Sequence, residues 1–275
     1  KCTTALFLYM HYFQNKVVWI TGASSGIGEA LAIALSSVGA QLVLSSRNKE
    51  ELERVKNECS HPDKIKIVQL DLEDGSSLQQ KTKEAIAAFG LIDIMVHNGG
   101  ISQRSYVVDT SMEVQRKVME IDYFSYVALT NFLLPHFLQR NGGQFVIMSS
   151  VMGKIGTPKR SAYAAAKHAL HGFFDCLRAE VAANNIFVTI ITPGYIRTNV
   201  SMNAITGSGE KLGVMGKNIE EGLPADKAAH QIMSAVAKHK FEVYVGKNGS
   251  EKLALLVNRF APKLFTKLAP KQVPQ

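Results

Sequence analysis

Lys16-Val17-Val18-Trp19-Ile20-Thr21-Gly22-Ala23-Ser24-Ser25-Gly26-Ile27-Gly28 is the stretch that decides the fold. Lys16 to Ile20 is a short apolar run, and a helical pattern follows from Glu29 to Val38, ended by Gly39 as a C-cap. Between them Gly22 and Gly26 permit a tight turn and close backbone approach, while the helix amino end offers free N–H groups to an anion. A second apolar run, Gln41 to Ser45, completes a βαβ unit. In that setting the turn reads as a dinucleotide cradle, with Gly22, Ser24, Ser25, Gly26, Ile27 and Gly28 as candidate contacts.

The end of the second strand chooses the nucleotide. An NAD site places a carboxylate about 20 residues past the glycines, whereas a 2′-phosphate calls for a cation. Here the residues are Ser46 and Arg47. A guanidinium clamps phosphate, so NADP(H) is expected. Glu50 and Glu51 do not compete, because Asn48-x-x-Glu51 reads as a capping box for the next helix.

The alternation continues downstream. Ile65 to Leu70 reads as a strand ending at Asp71-Leu72, Ser76 to Phe89 as a helix, and Ile92 to Val96 as a strand running into His97-Asn98-Gly99-Gly100. Asp71 is placed toward the adenine, and Asn98 with Gly99 toward the adjoining ribose. Helical stretches at about Ser111 to Ile121 and Asp122 to Gln139 precede the strand Gln144 to Met148. A helix from Ser161 to about Asn184 and strands Phe187 to Ile191 and Glu242 to Val245 follow. This order predicts an α/β fold with one doubly wound parallel sheet, helices on both faces, and a nucleotide at the strand ends.

Ser149 and Ser150 close the QFVIM strand, and Tyr163 stands one helical turn before Lys167, so phenol and ammonium share a face. A nearby cation favours the phenolate, which makes Tyr163 a general acid/base for an alcohol oxygen. Ser150 is placed to donate a hydrogen bond to the same oxygen as charge develops there.

With TGASSGIG, Ser150, Tyr163-x-x-x-Lys167 and Pro193-Gly194 in order, the chain resembles the short-chain dehydrogenase/reductase family over about Asn15 to Gly246. The resemblance implies a carbonyl reductase or alcohol dehydrogenase in which Ser150 polarises the substrate, Tyr163 transfers the proton and Lys167 also holds the nicotinamide ribose. It further implies that Pro193, Gly194, Ile196 and Thr198 adjoin the nicotinamide, and that the protein is a homodimer or homotetramer. Two departures stand out. His97-Asn98-Gly99-Gly100 replaces the usual NNAG. Asp122 occupies the place of the family's fourth catalytic residue, an asparagine. An ionised Asp122 accepts but does not donate hydrogen bonds, and its charge offsets part of the pull of Lys167 on Tyr163. The expected consequence is an alkaline optimum for alcohol oxidation.

Residues 199–223 mix glycines with Met202, Ile205, Leu212, Val214 and Met215, which reads either as a substrate lid with an oily inner face, favouring a lipophilic substrate, or as a segment whose apolar residues simply pack against the body. Of the net charge of +8, eight Lys/Arg against two Asp/Glu place +6 from Lys238 onward. The tail 247–275 carries Leu253, Leu256, Val257, Phe260, Leu264 and Leu268 at helical spacing among cations, with Pro262 restarting the helix. Such a segment lies on an anionic membrane or packs on a partner subunit. Residues 1–14 form an apolar stretch too short to span a bilayer, either an anchor stub or a packed arm. Three scattered cysteines fit a reducing, cytoplasmic setting with membrane association at its edge, and the histidines show no metal-ligand spacing. No basic run interleaved with aromatics points to nucleic acid. The reading is an NADP(H)-dependent oxidoreductase acting on a carbonyl or secondary alcohol. Its rivals are a catalytically impaired NADPH-binding sensor and a membrane-surface scaffold of the same fold.

Overall fold

The computed structural model describes residues 11–247 and 249–271. Strands β1 (Val17–Thr21), β2 (Gln41–Ser45), β3 (Ile65–Ile67), β4 (Ile94–His97), β5 (Gly143–Met148), β6 (Ile186–Pro193) and β9 (Glu242–Val245) make one sheet, in the order β3-β2-β1-β4-β5-β6-β9. Every pairing is parallel, from Val17 opposite Gln41 to Ile190 opposite Glu242. Two short strands, β7 (Ile196–Arg197) and β8 (Leu223–Pro224), pair separately.

A parallel sheet needs cover on both faces, because its strands are apolar on both. Val18, Ile20, Leu42 and Leu44 point to one side, where helices α1 (Gly26–Ser37), α2 (Lys49–Glu58) and α8 (Ala225–Ala237) supply Leu35, Leu52 and Ile232. Trp19, Val43, Phe145 and Ile147 point to the other. There α3 (Leu78–Ala87), α5 (Ser125–Arg140) and α6 (Ser161–Glu180) bring Leu78, Leu133 and Phe174. Helices α4 (Met112–Met119), α7 (Lys217–Glu220), α9 (Ser250–Phe260) and α10 (Pro262–Leu268) complete the described chain.

Local chemistry sets the boundaries. Gly39 takes φ +82° beyond α1, and Asn141 takes φ 49° beyond α5, both left-handed stops. Asn48 accepts from Glu51 N–H at 3.2 Å to begin α2. Only half of the expected box forms, since the Glu51 carboxylate turns to Arg54 at 2.8 Å instead.

Several expected boundaries shift. The strand at Ile65 stops at Ile67, although Val68 and Leu70 still donate to Leu44 and Ser46. The helix from Ser161 stops at Glu180 and passes into turns. The two helices expected at Ser111 to Gln139 are joined by a π-turn, Glu120–Phe124. Asp122 lies within that turn and is buried. Of the amino-terminal stretch, Tyr12 donates to Gln144 Oε1 at 2.7 Å and Phe13 is buried, while residues 1–10 lie outside the described residues.

Candidate active site

Thr21, at the end of β1, is the hub of the glycine turn. Its hydroxyl donates to Val96 O and accepts from the N–H groups of Asn98 at 3.0 Å and Gly99 at 3.1 Å. The Asn98 amide donates to the carbonyls of Thr21 and Gly22, at 2.9 and 3.1 Å. Asn98 therefore ties the turn to β4 as well as facing the cleft.

The cradle is built from bare backbone. A Cβ at Gly22 would meet Gly99 Cα at 2.6 Å, and one at Gly28 would meet Gly22 O at 2.3 Å. Gly28 thus serves close packing under the turn and does not itself line the cleft.

A cleft of about 730 Å³ runs along the strand ends. Its walls include every other cofactor-binding residue expected from the sequence: Gly22, Ser24, Ser25, Gly26 and Ile27 at the turn, then Ser46, Arg47, Asp71, Leu72, Asn98 and Gly99. Tyr163, Lys167, Pro193, Gly194, Ile196 and Thr198 line it too, as do Ser150 and Asp122. An elongated, backbone-lined trough of this kind fits a dinucleotide.

At the end of the cleft where β2 stops, no side-chain hydrogen bond or ion pair engages the Arg47 guanidinium among the described residues, and its carbonyl accepts from Gln69. The Glu51 carboxylate is engaged by Arg54, which also meets Glu29 and Glu58. Those three carboxylates hold the Arg54 guanidinium above its ordinary pKa.

At the other end Lys167 is 4 % exposed. Its Nζ donates to Met148 O at 3.1 Å and lies 5.6 Å from the centre of the Tyr163 ring. Asp122 Oδ2 stands 3.2 Å away as its counter-ion, while Asp122 Oδ1 accepts from Ile101 N–H at 2.7 Å. Burial works against the lysine's charge, yet Asp122, Tyr126 and Tyr163 outweigh it and raise the Lys167 pKa above the ordinary value. Burial raises the Asp122 carboxyl as well, against the pull of Lys167. These two shifts oppose each other, because the lysine is raised by an anionic Asp122. At 3.2 Å each group favours the charged form of the other.

Ser150 Oγ accepts from Met152 N–H at 3.1 Å, which leaves its hydroxyl hydrogen to be donated. His97 is a core residue. Its Nε2 meets Thr130 Oγ1 at 2.9 Å, its ring stacks on Tyr126 with centroids 4.9 Å apart, and burial lowers its pKa to about 3.

The lid expectation fares differently. None of Met202, Ile205, Leu212, Val214 and Met215 lines the cleft. Ile205 packs with Val114, Val118, Ala162 and Ala166, and Val214 is exposed. Asn199, Val200, Asn203 and Lys211 face the cleft instead. Glycine spacing says nothing about which side of an irregular segment turns inward.

Several residues near the site were not singled out from the sequence. Tyr126 donates to Gly99 O at 2.8 Å, and its ring centre lies 5.3 Å from Lys167 Nζ. His171 pairs through Nε2 with Ser149 Oγ at 2.9 Å. Both stand four residues after a site residue, Asp122 and Lys167, and that spacing is the available signal. Arg160, 5.8 Å from the Tyr163 ring centre and bonded to Ser102 Oγ at 2.6 Å, gave no such signal.

An open parallel sheet with a glycine cradle and one long cleft at its strand ends defines a nucleotide-binding Rossmann fold. The sequence profile of the family described as short chain dehydrogenase matches residues 16–208. The chain belongs to that family, a class of oxidoreductases. It is 43% identical over 264 residues to the Bos taurus protein named dehydrogenase/reductase SDR family member 7B, covering 94% of this chain and 81% of that protein. Among solved structures, a short-chain dehydrogenase from Streptomyces avermitilis superposes with a TM-score of 0.79 at 29% identity, covering 92% of this chain and 94% of that one. An actinorhodin polyketide ketoreductase with NADPH gives 0.64 at 26% identity, over 67% and 72% of the two chains.

Proposed function

We propose that this chain is an NADP(H)-dependent oxidoreductase that interconverts a carbonyl and a secondary alcohol, with Tyr163 as general acid/base. The observation that carries the reading is the buried Lys167 ammonium 5.6 Å from the Tyr163 ring centre, with Ser150 on the same cleft. In the reducing direction Tyr163 gives its proton to the substrate oxygen, and Ser150 donates a hydrogen bond to that oxygen while charge builds on it. The Lys167 ammonium stands beside the ring from which that proton leaves. The nicotinamide, when bound, supplies or accepts the hydride. Asp122 keeps the ammonium in place by pairing with it.

Arg47, with Glu51 already engaged by Arg54, supports NADP(H) over NAD. The polyketide ketoreductase with NADPH is a structural relative in keeping with this choice. A lipophilic substrate finds its support away from the lid, in an open groove of about 540 Å³ beside the Tyr163 helix, where Pro158, Ala164, Phe265 and Ala269 stand among Thr157, Ser161 and Thr266. Peripheral membrane contact is supported by Leu253, Leu256, Phe260 and Leu264, all exposed on the basic tail. No described helix is long and apolar enough to cross a membrane. A homodimer or homotetramer rests on family habit.

The test is purified full chain with NADPH or NADH and a panel of apolar ketones and aldehydes. NADPH oxidation is expected, with Tyr163→Phe slower by roughly 10²-fold or more and still able to bind NADPH. Tight NADPH binding without turnover on any panel member would favour the sensor.

A further inference from the structure

The family match ends at residue 208, yet helix α9, more than forty residues further on, touches both loops at the catalytic end of the cleft. Glu251, Ala254 and Asn258 lie three and four residues apart, on one face. Ala254 is buried against Ile155 and Phe265, while Leu253, Leu256 and Phe260 on the outer side are exposed.

From that inner face Glu251 Oε1 accepts the Tyr195 N–H at 3.0 Å. The Tyr195 carbonyl accepts from Leu223 N–H at 2.9 Å, and Gly194 N–H donates to Val245 O at 2.9 Å, so the backbone N–H groups of Gly194 and Tyr195 and the Tyr195 carbonyl are all pinned. The fit is tight: a Cβ at Gly194 would lie 2.9 Å from both Glu251 Oε1 and the Tyr244 hydroxyl. Burial, then the neighbouring Glu251, push the Tyr244 phenol up to about 12. Ile196 and Thr198, just beyond this pinned segment, line the cleft.

Seven residues along the same face, Asn258 Nδ2 donates to Lys154 O at 3.0 Å. Lys154 ends the short turn Val151–Gly153, which begins at Ser150. Met152 and Ile155 from this turn pack against the tail helices. One rigid helix thus spans from the loop of Ser150 to the loop of Ile196 and Thr198.

We propose that Glu251 and Asn258 are positioning residues: Glu251 sets the backbone of the Gly194 to Thr198 loop, and Asn258 sets the turn that aims Ser150. The inference rests on the reading of the cleft given above. A carboxylate accepting a backbone N–H holds it more strongly than a neutral acceptor, and two anchors on one helix fix the separation of the loops.

The experiment compares the native chain with Glu251→Ala, Glu251→Gln and Asn258→Ala. It reads amide hydrogen exchange at Tyr195, the Kd for NADPH by dihydronicotinamide fluorescence, and kcat and KM separately. The native chain should protect the Tyr195 amide. Glu251→Ala should lose that protection and bind NADPH about tenfold more weakly. Glu251→Gln, whose amide oxygen still accepts, should recover most of both. Asn258→Ala should lower kcat by roughly threefold to tenfold and leave the NADPH Kd in place.

Free exchange of the Tyr195 amide in the native chain overturns the proposal, whether or not Glu251→Ala folds. So does a Glu251→Ala protein with native exchange and native NADPH Kd, or one that Glu251→Gln fails to rescue. A native chain that protects Tyr195 and binds NADPH but reduces no carbonyl defeats the catalytic reading, and the Glu251 comparison still decides the positioning role.

Discussion

At Asp122 the two carboxylate oxygens have different partners, Ile101 N–H for Oδ1 and the Lys167 ammonium for Oδ2. Asp122→Asn keeps the first and removes the charge from the second, so the ammonium acts on Tyr163 without a rival. The expected result is a pH–rate profile for alcohol oxidation displaced to lower pH by about one unit, and superimposable profiles would take Asp122 out of the mechanism. The pair also has a stability signature. Because the folded Lys167 pKa is raised, its stabilisation is complete below about pH 10, the ordinary lysine value, and is lost as pH rises through the higher folded value. Urea midpoints should hold between pH 8 and pH 10 and fall from about pH 10 to pH 12 in the native chain, and fall less in Asp122→Asn. At the other end of the cleft, Arg47→Asp should lower the ratio of kcat/KM for NADPH to that for NADH by about tenfold or more. An unchanged ratio would assign Arg47 to solvent.

Strand β4 and helix α5 meet through His97, which heads the His97-Asn98-Gly99-Gly100 stretch and whose ring the fold buries in the core. Its hydrogen bond to Thr130 and its stack on Tyr126 make it part of the same block that fixes Gly99. A histidine buried neutral must take a proton to unfold at acid pH, so the native chain should lose stability as pH falls from about 6.5 toward about 3. His97→Phe should show a shallower fall of denaturation midpoint over that range, at some constant cost for the unpaired Thr130 hydroxyl. Equal slopes would mean that other groups govern acid unfolding. The elements themselves were largely legible: Asn48 and Gly39 announce their helix ends, and alternation of βα runs announces the sheet. What escaped was the π-turn at Glu120–Phe124, because one additional residue in a helix leaves almost no mark on hydrophobic periodicity.

Across the whole molecule, the basic tail has two faces with different occupations. The inner one bonds to Tyr195 and Lys154 through Glu251 and Asn258, and the outer one exposes Leu253 at 62 % and Phe260 at 77 % among Lys252, Arg259, Lys263 and Lys267. Vesicles rich in anionic lipid should sediment with the native chain and release it at high salt, and Phe260→Glu with Leu264→Glu should stay in solution. Native protein left in the supernatant would give this face to a partner subunit instead.

The chain's residues by themselves determined the doubly wound sheet, the glycine turn, the Tyr163 and Lys167 spacing and the choice of Arg47 over a carboxylate. Each is written in local spacing, either a period of two or 3.6 or a motif within one strand-turn-helix unit. Tertiary structure alone decided that Asp122 pairs with Lys167, that Thr21 knots the glycine turn to β4, that the 199–223 segment turns Asn199, Val200, Asn203 and Lys211 to the cleft, and that Glu251 reaches Tyr195. Those contacts join residues from 45 to 77 positions apart, where direction in space depends on how whole elements pack and no local pattern records it.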